Sequence, residues 1–452
     1  MLMAGALAPD VEPCKVDSRE ERSAPDGACP AEFVPFCAAP CCRAKSREER
    51  LGAAASVSFQ NRNLFRGSET FMIKFRGAYE VISGLQAGYA NNNYTEFGVE
   101  SSINFPNFLF PFVSSDFKRK IRATTEFGLQ YNYQMCPEFL RTMASASWSY
   151  KWTQRQKIQH RIDLINIAFL YLPRISERFK EDYINKGQND IFQYNYQDRL
   201  IINMGYSYNY NSVGGAIVNN TIASNSYSIR FNFESAGNIM YALSKMTGIR
   251  KNANNEYAIL GIPYAQYIKG EFDFSKNIRI DYRNSFAFHA GIGIAVPYGN
   301  AKTIPFEKQY FSGGANSVRG WSVRDLGPGS FAGKGNLLDQ SGDIKLDASI
   351  EYRSKLFWKF QGAVFIDAGN IWTVREYANQ PGGVFKFNKF YKQIAVAYGL
   401  GLRLDLDFFI LRFDGGMKAV NPAFETKKEH FPIIHPKFSR DFAFHFAVGY
   451  PF

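Results

Sequence analysis

The sequence predicts an all-β fold, a transmembrane antiparallel β-barrel of about 16 strands. Three observations carry this. Hydrophobicity alternates with a period of two along segments of roughly ten residues or more, the length a tilted strand needs to cross a bilayer. Aromatic residues make up 16% of the 452 positions, with 42 Phe and 26 Tyr, and a slightly negative mean hydropathy fits strands with one apolar and one wet face. No uninterrupted apolar stretch reaches the roughly 18 residues of a transmembrane helix.

Residues 1–52 read as a disordered or non-native leader. They hold Cys14, Cys29, Cys37, Cys41 and Cys42, whereas Cys136 is the one cysteine of the remainder, and "SREER" occurs twice in them. A zinc site is the weaker alternative, because the spacing is irregular and no His follows. The leader also lacks the basic start and apolar core of a secretion signal.

From about residue 53 the alternation takes over, and residues 53–452 read as one outer-membrane barrel domain. In "RATTEFGLQYNYQM" (122–135), Ala123, Thr125, Phe127, Leu129, Tyr131, Tyr133 and Met135 share one face, and the opposite face is polar. "SYSIRFNFE" (226–234) and "VAYGLGLRLDL" (396–406) repeat the pattern. Candidate strands begin near 53, 68, 94, 120, 139, 158, 198, 224, 264, 276, 306, 342, 357, 391, 408 and 442, with longer polar intervals at 174–197, 236–262, 314–341, 375–390 and 419–440. An even count lets the sheet close on itself and leaves no edge unpaired in lipid.

The last candidate, "FAFHFAVGYPF", would set Phe442, Phe444, Phe446, Val448, Tyr450 and Phe452 in one row, as in the closing strand of an outer-membrane barrel. In water such a row would invite edge-to-edge aggregation.

A formal charge of +12 attracts nucleic acid or anionic lipid alike. Here the bases are spread along the chain among acids, unlike the clustered face of a nucleic-acid reader, which favours a membrane surface. The five histidines are scattered, and no Ser-His-Asp or metal-ligand cluster emerges, so neither enzymatic activity nor a cofactor or metal is expected.

"FSGGANSVRGWSVRDLGPG" (311–329) stands apart from the alternation. Its segment Gly313, Gly314, Ala315, Asn316, Ser317, Val318, Arg319, Gly320, Trp321 resembles the Val-Arg-Gly-aromatic motif of the BamA/TamA superfamily, also called the bacterial surface antigen family. "DASIEYR" (347–353), "VFIDAGNIW" (364–372) and the terminal aromatic strand match further motifs in order, and "SVSFQNRNLFRG" (56–67) and "SSINFPNFLF" (101–110) resemble the first and third strands. Strand parity places Glu351 with Asp347, Ser349 and Arg353 on the polar face, and Asp367 opposite Val364 and Ile366. The resemblance implies a long loop folded into the lumen and anchored by Arg319 against Glu351 and Asp367. The guanidinium fork suits planar carboxylates and cannot lose its proton. A solvated loop arginine, a phosphate loop and a catalytic carboxylate pair are the alternatives. The stretch lacks the Lys and Ser/Thr of a P-loop.

The resemblance also implies an outer-membrane assembly or translocation factor. It would act on client outer-membrane or secreted proteins through a seam between first and last strands, with lipids around it and periplasmic or lipoprotein assembly partners. The family's usual periplasmic repeat modules do not precede the barrel in this sequence. A truncated or split longer protein, or a specialised member, is the corresponding expectation. A passive pore or secretion channel is the second reading.

Overall fold

A computed structural model describes residues 32–33, 49–83, 93–110, 112–136, 139–177, 197–213, 225–252, 255–332, 340–378, 380–406 and 409–451. The five leader cysteines and Phe452 lie outside them, as does most of the 174–197 interval. The strands are β1 (Glu32–Phe33), β2 (Glu49–Asn61), β3 (Thr70–Ser83), β4 (Asn93–Phe105), β5 (Thr124–Met135), β6 (Phe139–Gln154), β7 (Ile158–Ile175), β8 (Arg199–Asn211) and β9 (Ser226–Ala236). A small hairpin, β10 (Ala258–Ile259) with β11 (Ile262–Pro263), interrupts the series. Then come β12 (Tyr267–Arg279), β13 (Asn284–Pro297), β14 (Ile344–Lys355), β15 (Phe360–Trp372), β16 (Ala395–Asp405), β17 (Ile410–Val420) and β18 (Phe442–Val448). All but the hairpin form one antiparallel sheet of 16 strands in chain order, the topology of an up-and-down barrel.

The alternation in the sequence becomes an outside and an inside. On β5, Phe127, Leu129 and Tyr131 are exposed outward, whereas the Asn132 amide reaches inward to donate to Glu96 Oε1 at 3.0 Å. On β16, Leu400 is 68% exposed and its neighbour in the pattern, Arg403, is 0% exposed. Buried charge with apolar side chains outward is the inverse of a water-soluble core and is the arrangement lipid requires. No helix of the described residues is long and apolar enough to cross a membrane.

Short turns join most strands at one end, as at 280–283 and 356–359, where the β4–β5 connection is the long exception, and most long connections lie at the other. Asp281 closes the first of these turns. The Asn284 amide and the backbone N–H groups of Arg283 and Asn284 donate to its carboxylate and hold its pKa below the ordinary value.

Three sequence expectations shift. No strand starts near 306: residues Phe306–Lys308 form a 3₁₀ turn, and Tyr310 and Ser312 make isolated bridges to Gly342 and Leu326. Its alternation is that of a loop lying along the lumen wall, where apolar Ile304 and Tyr310 pack with Ile201, Tyr267 and Ile371. The candidate near 276 falls inside β12, and β13 starts at Asn284, because the hairpin turns only after Arg279. The sixteenth strand is β1, paired to β2 through Glu32↔Ser56 and Phe33↔Ala55, and β2 itself begins at Glu49.

The connection from β13 to β14, residues 298–343, crosses the lumen. Arg141 on β6 pairs with its Glu307 at 2.8 Å, and Glu234 on β9 with its Lys308 at 2.7 Å. At its root, the Asp343 N–H donates to Trp372 O and its carbonyl accepts from Ala295 N, both at 2.7 Å, while its Oδ2 accepts from Val374 N at 3.0 Å. Burial pushes the Asp343 carboxyl from an ordinary 3.8 up to about 6. The folded state therefore favours the protonated acid, and this contribution is fully present below about pH 4 and lost as pH rises through about 6. Asp343→Asn, which keeps the neutral shape, is expected to flatten that decline. Urea midpoints across this pH range would check it, and an unchanged slope would count against it.

Candidate functional site

Arg319 sits at the inner tip of the lumen loop with 1% exposure. Its Nε and Nη2 donate to Asp367 Oδ2 and Oδ1 at 2.7 and 2.8 Å, a bidentate fork, and its backbone N–H donates to the same Oδ2 at 3.1 Å. Nη1 reaches Glu351 Oε2 at 2.6 Å and Asp414 Oδ2 at 3.4 Å. The guanidinium lies over the Phe365 ring at 3.5 Å. Burial opposes its charge, but the hydrogen bond and charge of Asp367, with Glu351 and Asp414, outweigh burial and hold its pKa above the ordinary arginine value.

Strand parity delivers the acids. Glu351 on β14, Asp367 on β15 and Asp414 on β17 all face inward and are all 0% exposed. Glu351 is the hub: Arg319 takes one oxygen with Arg403 Nη2 at 2.9 Å, and Arg353 Nε takes the other at 2.7 Å. Arg403 and Arg412 lie 3.3 Å from Asp414 on either oxygen, and Arg412 Nη2 also donates to Ala315 O and Asn316 Oδ1 of the loop. The cluster holds four guanidiniums, of Arg319, Arg353, Arg403 and Arg412, against three carboxylates.

The rest of the motif shapes the approach. Val318 and Trp321 are buried against Leu326, Ala395 and Ala397. Gly313 and Gly314 take φ of 97° and 91°, the left-handed region that favours glycine. A Cβ on Gly320 would come within 2.8 Å of the Ala397 Cβ. Opposite the loop, a Cβ on Gly416 of β17 would lie 2.0 Å from the Arg319 carbonyl oxygen.

The closing strand joins the site. His445 on β18 points inward, and its Nε2 lies 3.0 Å from the Arg319 carbonyl, which accepts from it. Phe444, Phe446 and Val448 are exposed outward, and Phe442 stacks on Phe438 at 4.2 Å. Tyr450 leaves the expected outward row. Gly449 has a φ of 87°, and Tyr450 beyond it turns into the lumen, where its hydroxyl donates to Gln361 Oε1 at 3.0 Å and its ring meets Arg353 at 4.4 Å.

The structure thus brings Arg319, Glu351 and Asp367 together. Sequence reading missed Asp414, Arg403, Arg412, Phe365, Gly416 and His445. Arg403 was visible as an inward-parity arginine, but parity names a face and not a partner. Among the described residues no group of His, Cys, Asp and Glu is placed to hold a metal ion.

Comparisons with known proteins follow the same lines. The model of the Omp85 superfamily domain matches residues 47–452. Outer membrane protein assembly factor BamA of Neisseria meningitidis serogroup B is 34% identical over 95 residues, 19% of this chain and 11% of that protein. The match thus spans about a ninth of that relative's length. The crystal structure of BamA from Haemophilus ducreyi lacking POTRA domains 1-3 superposes with a TM-score of 0.55, at 15% identity, over 89% of this chain and 69% of that one, a likeness of fold. CdiB from Acinetobacter baumannii gives a TM-score of 0.44 at 11% identity, over 88% of this chain and 56% of that one.

Proposed function

Because the chain belongs to the Omp85 superfamily, we propose that it assembles or inserts other barrel proteins in the outer membrane, working through the seam between β2 and β18. The same reading includes lipids, client proteins and periplasmic or lipoprotein partners. The observation that carries the proposal is the uneven pair of ends of the sheet: β18 has only seven residues, and the 13-residue β2 meets only the two-residue β1 on its outer edge. An edge covered over so little of its length leaves backbone donors and acceptors for an incoming client strand, so main-chain hydrogen bonding supplies the affinity. The Arg319 cluster is the fixed side of this device, holding β14, β15 and β17 and, through His445, the last strand around one loop.

The second reading, a polypeptide secretion channel, is supported by the loop that fills the lumen, since a channel needs such a plug to move. Paired cysteines on β2 and β18, in a background without other cysteines, separate the two. Oxidation is expected to abolish client insertion in depleted cells, and reduction to restore it. Insertion that continues with the seam locked would move the channel reading ahead.

A further inference from the structure

The connection from β4 to β5 is "PNFLFPFVSSDFKRKIRA" (106–123), and it folds against the outside of the barrel. Outwardness follows from register: Ile103↔Phe127↔Trp148↔Ile165 and Ser101↔Leu129↔Ala146↔Ile167 are rows on one face, and Leu129 is 65% exposed on it. Thr125 and Tyr150 lie on the same face one step toward the short-turn end, yet both are buried. The connection covers them. Phe108 and Phe110 pack edge-on to the Tyr150 ring at 4.7 and 6.1 Å, the Tyr150 hydroxyl donates to Leu109 O at 3.2 Å, and the Thr125 hydroxyl donates to Asn107 O at 2.8 Å.

Beyond this aromatic clasp the chain forms the helix α1 (Ser115–Ile121), capped by Ser114 and ended by Arg122 in the left-handed region. Its last turn carries Lys118, Arg119 and Lys120, and its one acid, Asp116, is in the first turn. Phe112 before the helix is 88% exposed, and Phe117 within it is also exposed. Such a combination of exposed aromatics and clustered cations is at home at the headgroup level of a bilayer. Beside the clasp, on the bilayer side, lies a groove of about 360 Å³ lined by Ile103, Leu129, Ala146, Trp148, Ile165 and Ile167. Trp148 ties the two together, 5.9 Å from Tyr150. Ser101 and Ala146 are small residues in a row whose other members, Leu129 and Ile167, are large and exposed, which makes the hollow.

We propose that this connection and groove form a binding site for an anionic phospholipid, with the phosphate against Lys118, Arg119 and Lys120 and an acyl chain along the groove beside Trp148. The occupant is a bilayer lipid because the groove opens on the lipid face of the barrel, and it is anionic because the helix that follows the clasp carries three neighbouring cations. Shorter turns at the same end repeat the pairing in weaker form, as in Arg62 and Arg66 around Phe65, and Lys355 and Lys359 around Trp358. The β4–β5 connection adds the apolar groove to this pairing.

Trp148 reports on the site. The purified full chain would be reconstituted in vesicles holding either brominated phosphatidylglycerol or brominated phosphatidylcholine at equal fraction, and quenching attributed to Trp148 by subtracting the Trp148→Phe protein. Brominated phosphatidylglycerol is expected to quench at least about fivefold more effectively at low fraction, the ratio that one cation near an anionic surface supplies. The triple variant Lys118→Gln, Arg119→Gln, Lys120→Gln is expected to equalise the two lipids while keeping the heat-resistant folded band. Neutralising Lys386, Lys389 and Lys392 at the opposite end is expected to leave the preference intact. Equal quenching in the wild-type protein would overturn the proposal. So would a preference that survives the triple variant, which would point to a protein partner for α1, or one lost equally on neutralising the distant lysines, which would assign it to net charge.

Discussion

Arg319→Ala is expected to release the lumen loop and lower the stability of the folded barrel by about 3 to 5 kcal/mol. The substitution removes four side-chain contacts to Asp367, Glu351 and Asp414 and leaves three fully buried carboxylates short of a cation. The cost is that of the uncompensated charges, more than of the lost pair itself. Glu351→Gln is expected to act as strongly, because it leaves four guanidiniums against two carboxylates and withdraws a charge that touches Arg319, Arg353 and Arg403. Arg412→Gln removes surplus positive charge and is expected to be milder. Arg319→Lys keeps the charge and loses the fork, so it should fall between alanine and wild type. Urea midpoints of the purified barrel, with protease access to residues 311–329 from the long-loop side, measure both effects. A wild-type midpoint and a protected loop in Arg319→Ala would remove the anchor from the account.

Gly416→Ala should produce the second large effect, from a single methyl group. Its Cβ would meet the Arg319 carbonyl oxygen at 2.0 Å and the carbonyl carbon at 2.7 Å, and both are backbone atoms that no rotamer can move aside. Either the loop retreats or β17 bends. Overpacking of this kind costs about 1 to 3 kcal/mol. Retreat would also draw the carbonyl away from His445 Nε2 and so separate the loop from the closing strand. Gly270→Ala on β12 is the control, since its Cβ would meet nothing within 4 Å. Matching midpoints and matching client insertion for the two variants would show that the loop does not need that close approach.

The sequence by itself determined the fold class, the membrane-facing and lumen-facing sides of most strands, and three members of the buried cluster. Period-two alternation is a local property, so Leu400 outside and Arg403 inside could be read from neighbours along the chain. Glu351 and Asp367 were legible as lumen-facing by parity, and Arg319 by the family resemblance of the motif that carries it. Partnership was another matter. That Asp414 is shared by Arg319, Arg403 and Arg412 depends on the register of β14 to β17, and a register is fixed by pairing across strands far apart in sequence. The tertiary structure alone decided that residues 306–312 line the lumen and form no strand. It alone decided that Gly449 turns Tyr450 from the lipid row to Arg353, and that Gly416 makes room for a backbone carbonyl about a hundred residues away in the chain. Alternation tells each side chain which way to point, but only the closed packing of loop against wall tells it what it meets.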